Sequence, residues 1–305
     1  MTISSFPSLC RDMRSLVPLS QKTWLGVGGH ADWFFEPRDM TALQAFLRHN
    51  DALGLDALPV LCMGGGSNML VRDGGVRGVV VRLGRGFHSV RFEDESVVVG
   101  AGVSLVHLAQ RAYREGRTGL AFLAGIPGTV GGALFMNAGA FGDEIGSITE
   151  EMTWVTRHGD VQTLRPRQGA FSYRQNHCVG DGVIVAARLS CPQGHKEAIK
   201  EQMDAFRAMR HRHQPIKERS GGSTFKNPDN DKAWRLIDAA GCRSMRRGDA
   251  MMSPVHCNFM INTGHASAYD MEMLGDAVWH AVYRHCGVRL QWEIQRVGMA
   301  RGGQT

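Results

Sequence analysis

The chain lacks the spacings that mark the commonest metal, redox and nucleotide sites. Its seven cysteines, Cys10, Cys62, Cys178, Cys191, Cys242, Cys257 and Cys286, are scattered, odd in number and form no C-x-x-C pair. That excludes a disulfide framework and a zinc site, and it fits a reducing cytoplasm. The thirteen histidines include no H-E-x-x-H. His211 and His213 stand two apart and would diverge on a helix, so no metal centre is expected. No G-x-x-x-x-G-K-[ST] occurs, which excludes a P-loop, and no G-x-S-x-G, which leaves a nucleophile elbow unindicated. No G-x-G-x-x-G opens a long helix, so the Rossmann fingerprint is weak. No apolar stretch is long enough to span a bilayer. Arg11 and Arg14 are followed by no apolar run, so no signal peptide is expected. An excess of charge of one sign is also missing. The net charge of +6, from 35 basic and 29 acidic residues, leans toward anionic ligands but does not argue for nucleic acid.

What is abundant is glycine, and it is clustered. Gly64-Gly65-Gly66-Ser67-Asn68 forms one group. Gly125-Ile126-Pro127-Gly128-Thr129-Val130-Gly131-Gly132, followed by Asn137-Ala138-Gly139, forms the other. Glycine costs backbone entropy, so a dense cluster needs a local reason: a turn through positive φ or a close backbone approach. Loops of this kind make concave nests for anions, phosphate above all. A tight turn explains a single triplet equally well. Two clusters suggest a ligand with a diphosphate and a long body, such as a dinucleotide. The basic runs 207–213 and 243–247 fit a solvated face or a groove for a phosphorylated substrate.

A hydrophobic content of 43% and a charged content of 21% are those of a globular protein, and 305 residues give room for two domains. Segments 58–63, 79–83, 96–100 and 183–189 read as strands, and 152–155 with 161–164 across Gly159-Asp160 as a hairpin. Ser104 can cap a helix that aligns Leu105, Leu108, Ala109 and Ala112. A helix over 196–211 turns Ile199, Met203 and Phe206 inward and stops at Pro215. Further along, 232–240 reads as a short helix and 258–261 as a strand. Ser267 to Asp270 reads as a capping box before a helix striped by Leu274, Ala277, Val278, Ala281 and Val282. The run 288–297 reads as a strand.

Three polar positions stand out. Arg174 sits among aromatics in Phe171-Ser172-Tyr173-Arg174, where a surface arginine on a strand is the plain alternative. Ser223 follows two glycines in Gly221-Gly222-Ser223-Thr224-Phe225-Lys226-Asn227-Pro228, where a capping serine would look the same. Glu293 lies between apolar neighbours in Trp292-Glu293-Ile294, as an edge-strand glutamate in a salt bridge also would.

Taken in order, these segments resemble the UDP-N-acetylenolpyruvoylglucosamine reductase family over about 23–298. The likeness rests on Val27-Gly28-Gly29, both glycine clusters, Asn137-Ala138-Gly139-Ala140, Tyr173-Arg174, Gly222-Ser223 with 225–228, and Glu293. It implies an α+β protein: an FAD-binding fold of the vanillyl-alcohol-oxidase (PCMH) type over 23–192, after an extension over 1–22, then a smaller α+β substrate-binding domain over 193–305. It implies a cytoplasmic oxidoreductase of peptidoglycan precursor synthesis. Hydride passes from NADPH through FAD to the enolpyruvyl group of a UDP-sugar, yielding UDP-N-acetylmuramate. Gly64, Gly65, Gly66, Ser67, Asn68, Gly125, Gly128, Thr129, Gly132, Asn137 and Gly139 would hold FAD, its pyrophosphate on the first cluster. Tyr173, Lys226 and Asn227 would bind substrate, and Arg174, Ser223 and Glu293 would be catalytic, with no metal and no membrane insertion.

The chemistry suits those three residue types. Adding hydride to one end of an enolpyruvyl double bond builds negative charge at the other carbon and on the carboxylate. A permanently cationic arginine suits that charge, a glutamate kept neutral by burial can donate to it, and a hydroxyl can protonate the second carbon. Ser223 therefore reads as proton donor. Some positions depart from the family pattern: Ala121 for a frequent glutamate, Phe141 for tyrosine, and Ser253-Pro254-Val255-His256 for Ser-Glu-Lys-His. The short span from Arg174 to Ser223 matches the branch without a tyrosine-bearing insertion. An alcohol oxidase of the same fold and a non-catalytic nucleotide-binding protein are the competing readings.

Overall fold

Strand and turn propensities build a hairpin first. Thr149–Thr156 pairs antiparallel with Val161–Leu164, Met152 opposite Leu164 and Val155 opposite Val161. The turn closes on a bond from the Thr156 N–H to the Asp160 carbonyl at 2.8 Å. This is the hairpin expected from Gly159-Asp160. The computed structural model describes residues 12–302; Cys10, Arg11 and the rest of positions 1–11 lie outside the described residues. The chain divides into two compact units. The first comprises Trp33–Gly65, Gly78–Ala208 and the described residues before Leu16. The second comprises Leu16–Asp32, Gly66–Arg77 and the described chain from Met209 onward.

Among the described residues the α-helices are α1 (Met40–Ala52), α2 (Leu105–Arg114), α3 (Val130–Met136), α4 (Lys196–His213), α5 (Ala233–Ala239) and α6 (Ala268–Cys286). In the first unit the hairpin extends into a five-stranded antiparallel sheet, in the order Val161–Leu164, Thr149–Thr156, Gly182–Ser190, Ser96–Gly100, Val90–Glu93. Val97, Val99, Met152 and Leu189 supply its buried face, and Leu105, Leu108, Leu134, Ile199 and Met203 pack over it, with Phe206 at the margin. Each such aliphatic burial contributes roughly 1.5–3 kcal/mol. Ser104 caps α2 as expected, accepting from the His107 N–H at 3.1 Å. Val60–Cys62 pairs in parallel with Val79–Val81. Val79 and Val81 share a core with Phe35, Leu43, Phe46 and Leu47, the last three from α1.

The second unit is a four-stranded sheet, in the order Arg219–Ser223, Phe259–Asn262, Ala250–Met252, Arg246–Arg247. Ala233, Ile237, Met271, Leu274 and Val278 from α5 and α6 meet Met252 and Met260 in its core. The capping box at Ser267 and Asp270 is present, and Asp73 adds to it, accepting from the Ala268 and Tyr269 N–H groups at 3.0 and 2.9 Å. Two expectations need correction. Ala277 is exposed, and the stripe of α6 runs instead through Met271, Leu274, Gly275, Val278 and Val282. The run 288–297 becomes a strand only at Gln295–Val297, beside Met69–Val71. Before that it pairs with the irregular stretch after Ser223 through a single bridge, Trp292 opposite Phe225, so no continuous ladder forms.

Candidate active site

In the first unit Gly64 and Gly65 lie beside the second glycine cluster. A Cβ on Gly64 would stand 2.6 Å from Thr129 Oγ1, and one on Gly65 3.1 Å from the Gly128 Cα. The backbones therefore approach closer than side chains would permit. The second cluster is itself fixed: the Val130 N–H donates to the Val103 carbonyl and the Gly131 N–H to the Ala101 carbonyl, both at 2.9 Å. Thr129 caps α3, accepting from the Gly132 N–H at 3.4 Å, and Gly125 ends a buried 3-10 turn, Ala121–Gly125. Glycine-rich backbone without side chains, set at the start of a helix, is the kind of surface a phosphate-bearing cofactor can approach, so these residues fit FAD.

Asn137 ends α3 in the left-handed region (φ 45°) and is fully buried. Its Nδ2 donates to the Ser172 carbonyl and its Oδ1 accepts from the Gly146 N–H, each at 2.9 Å. The fastened element is a small hairpin, Phe171–Ser172 with Gln175–Asn176, whose two-residue turn is Tyr173-Arg174. Asn176 Nδ2 adds a bond to the Leu134 carbonyl at 3.0 Å. Arg174 sits at φ 57°, uncommon for a side chain of that size and a mark of an over-determined local structure. Its Nη2 donates to the Gly139 carbonyl at 3.1 Å, and its guanidinium lies 4.9 Å from the Tyr173 ring centroid. Asn137, Gly139, Tyr173 and Arg174 thus form one assembly.

In the second unit Ser223 ends its strand opposite Phe259, after a bulge that begins beyond Ser220. Gly222 takes up the bend at φ 79°. Thr224, fully buried, is a junction. Its N–H donates to the Asn258 carbonyl at 2.7 Å, its carbonyl accepts from the Glu293 N–H at 2.8 Å, and its Oγ1 accepts from the Met260 N–H at 3.0 Å. Asn258 also exchanges two hydrogen bonds with the Phe225 backbone, at 3.0 and 2.8 Å. Asn68 completes the frame: its Nδ2 donates to the Glu293 carbonyl at 3.0 Å, and its own carbonyl accepts from the Gln295 N–H at 3.0 Å. Ser223, Glu293 and Asn68 are thereby tied through main-chain bonds. Gly66 belongs to the same unit, its carbonyl accepting from the Trp24 N–H at 3.0 Å. The Lys226 N–H donates to the Gln291 carbonyl at 2.8 Å, and Asn227 Oδ1 accepts from the Ala233 N–H at 3.0 Å, at the start of α5.

The surrounding electrostatics are specific. Arg72 Nε reaches both Glu272 carboxylate oxygens, at 3.0 and 3.1 Å, and Arg296 Nη1 lies 3.6 Å from Glu272 Oε1. Burial pushes His256 below its ordinary value of 6.5; its Nδ1 accepts from the Asn258 N–H at 3.3 Å. Burial pushes Cys191 and Cys257 up to about 11, so neither offers a thiolate near neutral pH. A cavity of about 620 Å³ opens beside the serine strand, lined among others by Lys217, Arg219, Pro254, Val255, Ile261 and His265. Pro254 and Val255 therefore stand on a cavity wall. Among the described residues no group of three or more His, Cys, Asp or Glu could hold a metal ion, and no helix is long and apolar enough to cross a membrane. Thr224, Asn258 and His256 were not singled out from sequence. For Thr224 and Asn258 the signal is polarity beside or within the apolar stretches 224–225 and 257–261, which marks a buried hydrogen-bonding group without naming its partner; His256 was noted only as part of the departing segment 253–256.

Known proteins resemble the chain along nearly its whole length. A family profile described as the C-terminal domain of UDP-N-acetylenolpyruvoylglucosamine reductase matches residues 214–297, and one described as an FAD binding domain matches 31–165. A UDP-N-acetylenolpyruvoylglucosamine reductase of Acidiphilium cryptum is 46% identical over 93% of this chain and 90% of its own length. Its namesake from Cereibacter sphaeroides is 46% identical over 92% and 94%. The crystal structure of the Thermus caldophilus UDP-N-acetylenolpyruvylglucosamine reductase superposes with a TM-score of 0.82 at 35% identity, covering 94% of this chain and all of that one.

Proposed function

The chain belongs to the UDP-N-acetylenolpyruvoylglucosamine reductase family, and from that premise we propose which of its residues carry the family's reaction. It is an FAD-containing α+β oxidoreductase that reduces UDP-N-acetylenolpyruvoylglucosamine in peptidoglycan precursor synthesis. We assign NADPH as hydride donor, FAD binding to 23–192, substrate binding to 193–305 after an extension over 1–22, and the cytoplasm as the compartment.

Bound FAD supplies a hydride relay from NADPH to the terminal carbon of the enolpyruvyl group. Gly64, Gly65, Gly66, Ser67, Asn68, Gly125, Gly128, Thr129, Gly132, Asn137 and Gly139 would hold it. Arg174 offsets the negative charge that develops on the substrate carboxylate and its adjacent carbon; a guanidinium stays cationic throughout. Glu293 would hydrogen-bond the same enolate through its carboxyl group. Ser223 delivers its hydroxyl proton to the carbon alpha to the carboxylate, closing the new C–H bond and leaving an alkoxide that takes a proton back from solvent. Tyr173, Lys226 and Asn227 bind the sugar nucleotide.

The observation that supports this assignment best is the bond from the Glu293 N–H to the Thr224 carbonyl at 2.8 Å. It joins the glutamate to the residue after Ser223 with no mobile side chain between them. The test is spectroscopic. Purified protein should be yellow, bleach under NADPH without oxygen, and regain colour when the enolpyruvyl sugar nucleotide is added. Oxygen consumption with a simple alcohol and indifference to NADPH would favour an oxidase. Flavin that no pyridine nucleotide reduces would favour a binding protein.

A further inference from the structure

We propose that Asn68 is the positioning residue for Glu293, fixing the direction in which the glutamate side chain leaves the backbone. This rests on the catalytic reading of Glu293. The Glu293 peptide groups are held on both sides: its N–H by the Thr224 carbonyl at 2.8 Å, its carbonyl by Asn68 Nδ2 at 3.0 Å. The next anchor is Asn68 again, whose carbonyl takes the Gln295 N–H at 3.0 Å. Directly after it begins the parallel ladder of Met69 with Gln295, Leu70 with Arg296 and Val71 with Val297. Asn68 therefore grips the glutamate segment with side chain and main chain at once.

That grip matters because of what the segment lacks. Around Glu293 there is no ladder, only the isolated bridge of Trp292 to Phe225. In a regular sheet, bonds from neighbouring residues would fix φ and ψ of a catalytic residue. Here the carboxamide of Asn68 replaces one such bond. Without it the peptide after Glu293 loses the bond at its carbonyl and keeps the longer one from the Ile294 N–H to the Thr224 carbonyl at 3.5 Å, so the Cα–Cβ direction is held less firmly. A displacement of about 1 Å in a charge-stabilising group can cost on the order of 10²-fold in rate.

The experiment uses the FAD-loaded protein and four variants: Asn68→Ala, Asn68→Asp, Glu293→Gln and Asn68→Ala combined with Glu293→Gln. Asn68→Asp keeps the shape and main chain while replacing the Nδ2 donor with an oxygen. The two half-reactions are followed separately without oxygen: bleaching by NADPH, and recovery with the enolpyruvyl sugar nucleotide. Flavin content and Tm are measured alongside. The expected result is that, with FAD held at saturation, both Asn68 variants slow recovery about 10- to 10²-fold more than they slow bleaching. In the Glu293→Gln background Asn68→Ala should add no further loss, since it acts through the same group. The inference is overturned if the losses multiply, or if at saturating FAD both half-reactions slow alike. Wild-type recovery in Glu293→Gln alone would instead reject the catalytic reading of Glu293.

Discussion

Gly64 lies so near Thr129 that a Cβ on the glycine would stand 2.6 Å from the threonine Oγ1. Two segments far apart in the chain, each conspicuous in sequence for its glycines, are thus in contact, and the contact is built on the absence of a side chain.

Gly64→Ala should therefore damage the first unit and its cofactor together. Overpacking of this kind costs about 1–3 kcal/mol, and we expect at least a tenfold loss of FAD affinity, roughly the same size in free energy. Removing the clashing oxygen with Thr129→Ala should recover part of that loss in the double variant. Flavin titration of the apo-protein measures both. No recovery would mean that the Gly64 Cβ is excluded by something other than Thr129.

Asp73 accepts from two successive N–H groups at the start of α6, beyond what Ser267 accepts. Capping substitutions cost about 0.5–2 kcal/mol, and a carboxylate at a helix N-terminus adds to that. Asp73→Ala should thus lower stability more than Ser267→Ala, read as Tm of the FAD-free protein. Equal effects would show that solvent satisfies the Ala268 and Tyr269 N–H groups.

His256 makes stability depend on pH. Its folded value is lowered by burial, so as pH falls past about 6.5 the unfolded chain takes up a proton before the folded one does, and stability drops. Protonation would also remove the acceptor that Nδ1 offers to Asn258. The Tm difference between wild type and His256→Gln should shift against the wild type on going from about pH 7.5 to about pH 5.5. A constant difference would contradict the account.

Much of this was legible locally. The turn at Gly159-Asp160, the caps at Ser104 and Ser267 and the inward face of α4 each depend on residues a few positions apart, and local pattern carries such information well. Ser223 and Glu293 were legible as odd residues in their surroundings. The frame that joins them was not, because Thr224, Asn258 and Asn68 bond main-chain groups of distant segments, the two asparagines through their carboxamides. Asp73 capping α6 was hidden for the same reason, and Asn137 looked like part of a glycine loop while its carboxamide fastens the Arg174 hairpin. The error at Ala277 has a different cause: small residues alternate easily between buried and exposed faces, and Gly275 fills the stripe without standing out as apolar.

The central claim is that Ser223 gives the proton that completes reduction. Ser223→Ala, followed without oxygen, tests it most directly. The account predicts that NADPH bleaches the variant's flavin at the wild-type rate, while recovery of colour with the enolpyruvyl sugar nucleotide slows by about 10²–10⁴-fold, the usual scale of a lost general acid. Recovery at the wild-type rate would contradict it.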